Sequence, residues 1–134
     1  MEKKQVELRF SELEHTYIAQ TSYGELPVGE HGYRPMELLL VALAGCTGVD
    51  VSHILRKKRQ EVRDIKIKVE GYRREEHPRV YQRIRLKYEV YGKGVKEKAV
   101  EEAIRLSVDK YCSVYAMLKP SCELEFSFEV INEA

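Results

Sequence analysis

A long apolar segment, residues 35–51, constrains the fold of this 134-residue chain more than any other feature. It begins at Pro35, which suits the first position of a helix because its missing N–H is not needed there. Helical periodicity continues to about residue 60, which predicts a helix of roughly seven turns. We expect the segment to be too short for a membrane span. Four small or polar residues also interrupt it: Gly45, Thr47, Gly48 and Asp50.

Alternation of apolar and charged residues predicts strands on both sides of this helix. The clearest are residues 64–72 and 80–91, which a polar link joins into an antiparallel pair with one face in water. Shorter strands are predicted before the helix, and a loop over residues 27–34 follows them. These N-terminal strands are expected within residues 2–10, 12–20 and 21–26.

The C-terminal third is predicted to contain a second long helix and a last strand. Residues 95–111 are amphipathic, a helical turn follows over residues 113–118, and residues 123–131 alternate as a strand. The predicted order is therefore βββ-α-ββ-α-β, an α+β fold with two long helices and predominantly antiparallel sheets. We expect residues 1–134 to form a single domain.

Composition excludes several classes of function. A formal net charge of +1 gives no strong electrostatic case for binding nucleic acid or an anionic membrane. The N-terminus lacks the apolar core of a signal peptide, so a cytoplasmic protein is expected. Its three cysteines show no metal-ligand spacing, and no phosphate-binding or dinucleotide-binding glycine pattern occurs. We therefore expect neither a metal nor a cofactor.

Cys46, within the long helix, and Cys112, at the end of the second one, indicate a cysteine redox site. The alternative is that Cys46 is an unreactive apolar side chain of the core, as free cysteines on apolar helix faces most often are. Cys46 lies too far from the helix N-terminus for the dipole to activate it, so a thiolate there needs a nearby cation. The available cations are Arg9, Arg34 and His53.

Asp50 and two glycines lie close to Cys46 on the predicted helix. A carboxylate one turn from a cysteine disfavours its thiolate, so Asp50 is expected to orient an arginine or to cap a backbone group. Gly45 and Gly48 each cost ~1 kcal/mol of helix propensity relative to Ala. Close approach of another helix or of a ligand would explain that cost.

Three parts of the chain together resemble the OsmC-like superfamily, which includes osmotically inducible protein C and the organic hydroperoxide resistance proteins. They are residues 35–54, the link Arg73-Arg74-Glu75-Glu76-His77-Pro78-Arg79-Val80, and residues 103–118 with Leu106-Ser107 and Lys110-Tyr111-Cys112-Ser113-Val114. The resemblance is weakest over the first thirty residues. It is nearest to the branch of small OsmC-like proteins that are distinct from the well-studied peroxidases.

This resemblance implies an intertwined homodimer with its sites at the subunit interface. It also implies that Cys46 attacks an organic hydroperoxide and becomes a sulfenic acid, and that Cys112 condenses with it to a disulfide. A dithiol reductant then reopens the disulfide. Cys122 matches neither position.

One position departs from the pattern of the peroxidases. They carry a glutamate directly after the proline that opens the helix, working with an arginine, whereas this chain has Met36 there and Glu37 one residue later. One residue turns a side chain by about 100° on a helix, so Glu37 need not reach the site. The partner arginine would be Arg9 or Arg34.

Two functions remain open at this point. The first is a thiol-dependent peroxidase acting on organic hydroperoxides in oxidative-stress defence. The second is a non-catalytic dimer that binds an apolar small molecule at the subunit interface or senses redox state, which Met36 favours. A nucleic-acid accessory role rests only on basic residues of the predicted strands, which alternate with apolar ones as a solvated sheet face does.

Overall fold

The computed structural model describes residues 1–134 as two units, Met1–Leu39 and Leu40–Ala134. The N-terminal unit contains an antiparallel sheet of three short strands in the order β1-β2-β3. These strands are β1 (Glu7–Phe10), β2 (Thr16–Gln20) and β3 (Glu25–Gly29). The predicted three strands are thus present, but β1 and β2 are shorter than expected and β3 extends into the predicted loop.

Local hydrogen bonds explain where the N-terminal strands turn. The Thr21 N–H donates to the Gly24 carbonyl at 2.9 Å, and the Thr21 hydroxyl donates to the same carbonyl at 2.8 Å, which closes the turn between β2 and β3. Gly29 ends β3 with a φ of 133°, a conformation that favours glycine. A side chain there would also meet the backbone of His15.

The long helix α1 spans Pro35–Lys57 and begins at the predicted proline. It ends three residues before the predicted position because Arg59 adopts a left-handed conformation, with a φ of 57°. The N–H of Gln60 then donates back to the carbonyl of Leu55 at 3.0 Å. This is a Schellman motif, which satisfies a carbonyl that the helix end would otherwise leave unpaired.

The prediction about a membrane span concerned residues 35–51, and the helix that contains this segment is longer. By length and composition alone, α1 would suffice to cross a membrane, with a mean hydropathy of 1.8 in its most apolar window. A core helix of a folded domain passes the same test. Thr47 of α1 hydrogen-bonds with the side chains of Tyr88 and Ser107, as a residue of such a core helix does.

The C-terminal unit is built on a sheet in the order β4-β5-β6. The two clear predicted strands are β4 (Glu61–Arg73) and β5 (Tyr81–Lys93), and they pair antiparallel. In the link between them, the Arg74 guanidinium donates to three backbone carbonyls and so holds the turn together. The acceptors are the carbonyls of Glu76, His77 and Pro78.

The chain returns from β5 to the sheet through helical segments. These are α2 (Glu97–Leu106), a π-helical turn (Ser107–Tyr111) and α3 (Ser113–Leu118), followed by the last strand β6 (Glu123–Asn132). The second long helix of the prediction is therefore a ten-residue α-helix ending in a π-turn. Because the crossover is helical, β6 lies parallel to β5 and this sheet is mixed. The other three strand pairings are antiparallel, so the predicted predominance of antiparallel pairing is confirmed.

The core of the C-terminal unit lies between the central strand β5 and the helices. One face of β5 is buried along its whole length, and so is one row of α1 at four-residue spacing. The apolar face of α2 completes the core. The buried side chains are Ile84, Leu86, Tyr88 and Val90 of β5, Leu43, Thr47, Val51 and Leu55 of α1, and Ala99, Val100, Ala103 and Ile104 of α2.

Candidate functional site

Cys46 lies on α1 beside the buried row rather than within it. The row that the core covers contains Thr47, whereas Cys46 and Asp50 are half-buried. His53, which the helical spacing places on the same face, is exposed. The Cys46 thiol is therefore less enclosed than the apolar sequence around it suggests.

Cys112 lies where the π-turn meets α3. Its N–H donates to the carbonyl of Ser107 at 2.7 Å, the five-residue hydrogen bond that defines a π-turn. Its sulfur accepts a hydrogen bond from the N–H of Tyr115 at 3.4 Å and so caps the short helix α3. The residue is only 3% exposed. These contacts fix the sulfur in the core.

The structure brings Cys46 and Cys112 together as free thiols. Burial is the main cause that raises the pKa of Cys112 to about 12. The hydrogen bond from the Tyr115 N–H opposes this shift, while hydrogen bonding with Cys46 and the charges of Cys46 and Asp50 raise the pKa further. Cys112 is consequently a neutral thiol at physiological pH.

A chain of buried hydroxyl groups lies beside the two thiols. The Thr47 hydroxyl lies 2.8 Å from the Tyr88 hydroxyl and 2.7 Å from the Ser107 hydroxyl. Ser107 donates to a carboxylate oxygen of Asp50 at 2.9 Å. This chain, Tyr88–Thr47–Ser107–Asp50, is called the hydroxyl chain below. It joins β5, α1 and the π-turn, the three elements that surround the thiols.

Sequence reasoning missed three of the four members of the hydroxyl chain. Thr47 was noted only as an interruption of the apolar segment, and Tyr88 only as an apolar position of a strand. Ser107 carried a usable signal, since a serine follows Ala103 and Ile104 on the apolar face of the predicted helix. Asp50 was singled out, but it accepts from a serine side chain rather than orienting an arginine or capping a backbone group.

The other predicted site residues belong to the N-terminal unit and are exposed. Arg9 forms an ion pair with Glu25 across the first sheet at 3.6 Å. The carbonyl of Arg34 accepts from the N–H of Leu38, and Glu37 lies in the first turn of α1, where a carboxylate is favourable for the helix dipole. Any role of these residues toward Cys46 stays a prediction.

The third cysteine, Cys122, forms its hydrogen bond with a residue outside the thiol pair. Its sulfur donates to the carbonyl of Leu118 at 3.6 Å, and burial raises the pKa of its thiol. The structure contains no group of three or more His, Cys, Asp or Glu residues that could hold a metal ion.

A cleft of about 560 Å³ in the C-terminal unit lies along β6 rather than at the thiols. Side chains of β6, of α2 and of the segment after it form its walls, including the aromatic rings of Tyr115, Phe126 and Phe128. Arg105 also lines it and places its guanidinium 5.4 Å from the centre of the Phe126 ring. The cleft offers aromatic surface to a small molecule but no thiol.

This chain is similar to one protein family and to individual proteins of known sequence or structure. The sequence pattern of the family described as OsmC-like protein matches residues 28–127. Protein YhfA of Escherichia coli (strain K12) is 43% identical over 103 residues, which cover 77% of this chain and 77% of YhfA. The crystal structure of a hypothetical protein from Aquifex aeolicus VF5 has a TM-score of 0.96 and 55% identity, with 100% of both chains covered.

A more distant structure is informative about the fold alone. The organic hydroperoxide resistance protein OhrB of Bacillus subtilis has a TM-score of 0.64 and 14% identity. The match covers 95% of this chain and 98% of OhrB. The mixed architecture described above is therefore shared with a protein named for hydroperoxide resistance.

Proposed function

Because this chain belongs to the OsmC-like protein family, we propose that it is a thiol-dependent peroxidase that reduces organic hydroperoxides. Cys46 attacks the terminal peroxide oxygen, the O–O bond breaks, and the alkoxide leaves as an alcohol after taking up a proton. Cys46 becomes a sulfenic acid. The sulfur of Cys112 then attacks the sulfur of Cys46, forming a disulfide and releasing the oxygen as water.

The proximity of the two thiols is the observation that carries this proposal. Cys46 is half-buried, whereas Cys112 is almost wholly enclosed. That asymmetry suits an attacking and a resolving cysteine. Turnover requires a dithiol reductant, which reopens the disulfide by thiol–disulfide exchange through a mixed disulfide. We place this activity in the cytoplasm, where such reductants keep thiols reduced.

We further propose that the protein acts as a homodimer. Two apolar side chains of α1, Val41 and Val49, are 65% and 57% exposed. Gly45 lies between them, and a side chain added there would meet no atom of this chain within 4 Å. A second copy covering this face would bury the exposed valines and account for the glycine. Arg9, Arg34 and Glu37 are the candidates for supporting Cys46 in that assembly.

Peptide mapping after oxidation tests the peroxidase proposal. Reduced protein is treated with one equivalent of cumene hydroperoxide and analysed by intact mass. The unaltered protein should lose two hydrogens and yield a Cys46–Cys112 peptide pair, Cys112→Ser should gain one oxygen on Cys46, and Cys46→Ser should stay unchanged. Cys122→Ser is the matched control and should behave as the unaltered protein. Thiols that stay unmodified over many minutes would overturn the proposal.

A second candidate function is the binding of an apolar small molecule without turnover. Met36 occupies the position where the peroxidases carry a glutamate, and the exposed apolar face of α1 would line a subunit interface. This function predicts ligand that co-purifies with the protein and is retained in Cys46→Ser. Loss of the ligand in that variant would count against it.

A further inference from the structure

The hydrogen bonds of the hydroxyl chain all donate in one direction, from Tyr88 toward the carboxylate of Asp50. A carboxylate accepts hydrogen bonds but has no proton to donate, so Ser107 donates to Asp50. The Ser107 oxygen is then free to accept from Thr47, and the Thr47 oxygen accepts from Tyr88. Tyr88, Thr47 and Ser107 are all 0% exposed, so water does not compete for these bonds. The hydroxyl chain therefore holds the half-buried Asp50 carboxylate in a fixed orientation at the edge of the core.

This carboxylate is near enough to the thiol that must lose a proton for its charge to act on that thiol. Asp50 is one helical turn after Cys46, which places the two on one side of α1. Its charge also acts on Cys112 and on Tyr88. Ser107 links Asp50 to Cys112 by two hydrogen bonds: its hydroxyl donates to the Asp50 carboxylate, and its carbonyl accepts from the N–H of Cys112. The titratable groups facing Cys112 are Cys46, Asp50, Tyr88 and Tyr115.

Closing the disulfide requires Cys112 to react as a thiolate, because the thiol is a poor nucleophile. Since burial raises the pKa of Cys112 to about 12, only a very small fraction of Cys112 is a thiolate at pH 7. Release of the proton to solvent would add a second negative charge to a buried site, which is costly. Transfer of the proton to Asp50 leaves the pair of Cys112 and Asp50 with one negative charge. Before the transfer the pair is a thiol and a carboxylate, and afterwards it is a thiolate and a carboxylic acid.

On the basis of the roles proposed above for Cys46 and Cys112, we propose that Asp50 accepts the proton that Cys112 loses as its sulfur attacks the oxidised Cys46. The S–O bond of the Cys46 sulfenic acid breaks as the S–S bond forms. The departing hydroxide takes the proton back from Asp50 and leaves as water. Asp50 thus ends the step as the carboxylate with which it began. Ser107 is a positioning residue that keeps Asp50 oriented toward the thiols.

Disulfide closure can be measured without any peroxide by using 4,4′-dithiodipyridine, in a Cys122→Ser background that removes the third thiol. The first thiopyridone is released when Cys46 attacks the reagent, at a rate proportional to reagent concentration. The second is released when Cys112 attacks the Cys46 mixed disulfide, at a rate independent of reagent concentration. The departing group takes up the proton that hydroxide takes up in the peroxide reaction.

We expect Asp50→Asn to slow the second release by about 10²-fold, the lower end of the range for general acid–base catalysis. Its rate should then rise about tenfold per pH unit, because only hydroxide remains to deprotonate Cys112. The first release should be no slower than in the parent, because a carboxylate one turn from Cys46 disfavours its thiolate. Far-ultraviolet circular dichroism shows whether the variant is still folded. Ser107→Ala should slow the second release less and keep the pH profile of the parent, since the carboxylate is still present.

Asp109→Asn is the matched control, because it removes one carboxylate from the exposed side of the same π-turn. It should close at the parent rate. The proposal is overturned if Asp50→Asn closes at the parent rate with the parent pH profile, or if Asp109→Asn slows closure as much as Asp50→Asn does. A protein whose disulfide closure depends on Asp50 but whose thiols do not react with cumene hydroperoxide would support this proton transfer and contradict the peroxidase function. Failure of the one proposal is therefore distinguishable from failure of the other.

Discussion

Replacing Thr47 by Val should destabilise this protein far more than the loss of one hydroxyl group suggests. The change keeps the shape of the side chain but removes both hydrogen bonds of the Thr47 hydroxyl. Ser107 keeps its bond to Asp50, so its lost bond costs about 1 kcal/mol. The Tyr88 hydroxyl is left buried without that partner, which costs a further 1–3 kcal/mol or so. We expect the free energy of unfolding to fall by about 3 kcal/mol.

Removing the Tyr88 hydroxyl, the other partner in the Thr47–Tyr88 hydrogen bond, should reduce the free energy of unfolding much less. Tyr88→Phe deletes the hydroxyl that would be orphaned, and Thr47 keeps its bond to Ser107. The expected loss is about 1 kcal/mol. In the double variant no buried hydroxyl lacks a partner, so it should be no less stable than Thr47→Val alone. The coupling energy between the two positions should therefore be about 1 kcal/mol or more.

Urea unfolding at a fixed protein concentration, followed by far-ultraviolet circular dichroism, measures these differences. Ser52→Ala is the control on the same helix, since Ser52 is exposed and donates only to the nearby carbonyl of Val49. It should change stability by less than about 0.5 kcal/mol. Additive effects of the two single variants, or a Thr47→Val loss no larger than that of Tyr88→Phe, would refute the reasoning.

Two further perturbations probe the sheet and the proposed interface. A hydrogen bond from Tyr91 is the main cause that lowers the pKa of Glu89, so Glu89 stabilises the fold above its unfolded pKa and stops doing so as the pH falls through its folded pKa. Tyr91→Phe should therefore reduce stability at pH 7, and in an acid titration the difference from the parent should shrink as the pH falls below the ordinary pKa of a glutamate and vanish once Glu89 is protonated in the fold; a difference that does not shrink as the pH falls would contradict the assignment. Gly45→Ala should weaken self-association in sedimentation experiments, because the added methyl group meets the second copy rather than this chain. An unchanged association with a gain of about 1 kcal/mol in stability would instead show that this helix face is free.

The helix and strand types were predictable because each depends on a local periodicity. Alternation along β4, β5 and β6 and the proline at the start of α1 identified those elements to within a few residues. The end of α1 was missed because a left-handed Arg59 carries no strong sequence signal, unlike a glycine at that position. The direction of β6 was not predictable because a strand pattern is the same for parallel and antiparallel pairing, and the preceding crossover decides between them.

The sequence by itself determined the order of the elements, the apolar character of α1 and the presence of two thiols on separate helical segments. Tertiary structure alone decided what surrounds those thiols. The hydrogen bonds of Thr47 reach partners 41 and 60 residues away, and no local pattern specifies which buried hydroxyls meet. Only folding removes water from these groups and requires each to find a partner. For that reason Cys112 becomes a buried, neutral thiol beside Asp50 only once α1, β5 and the π-turn have packed together.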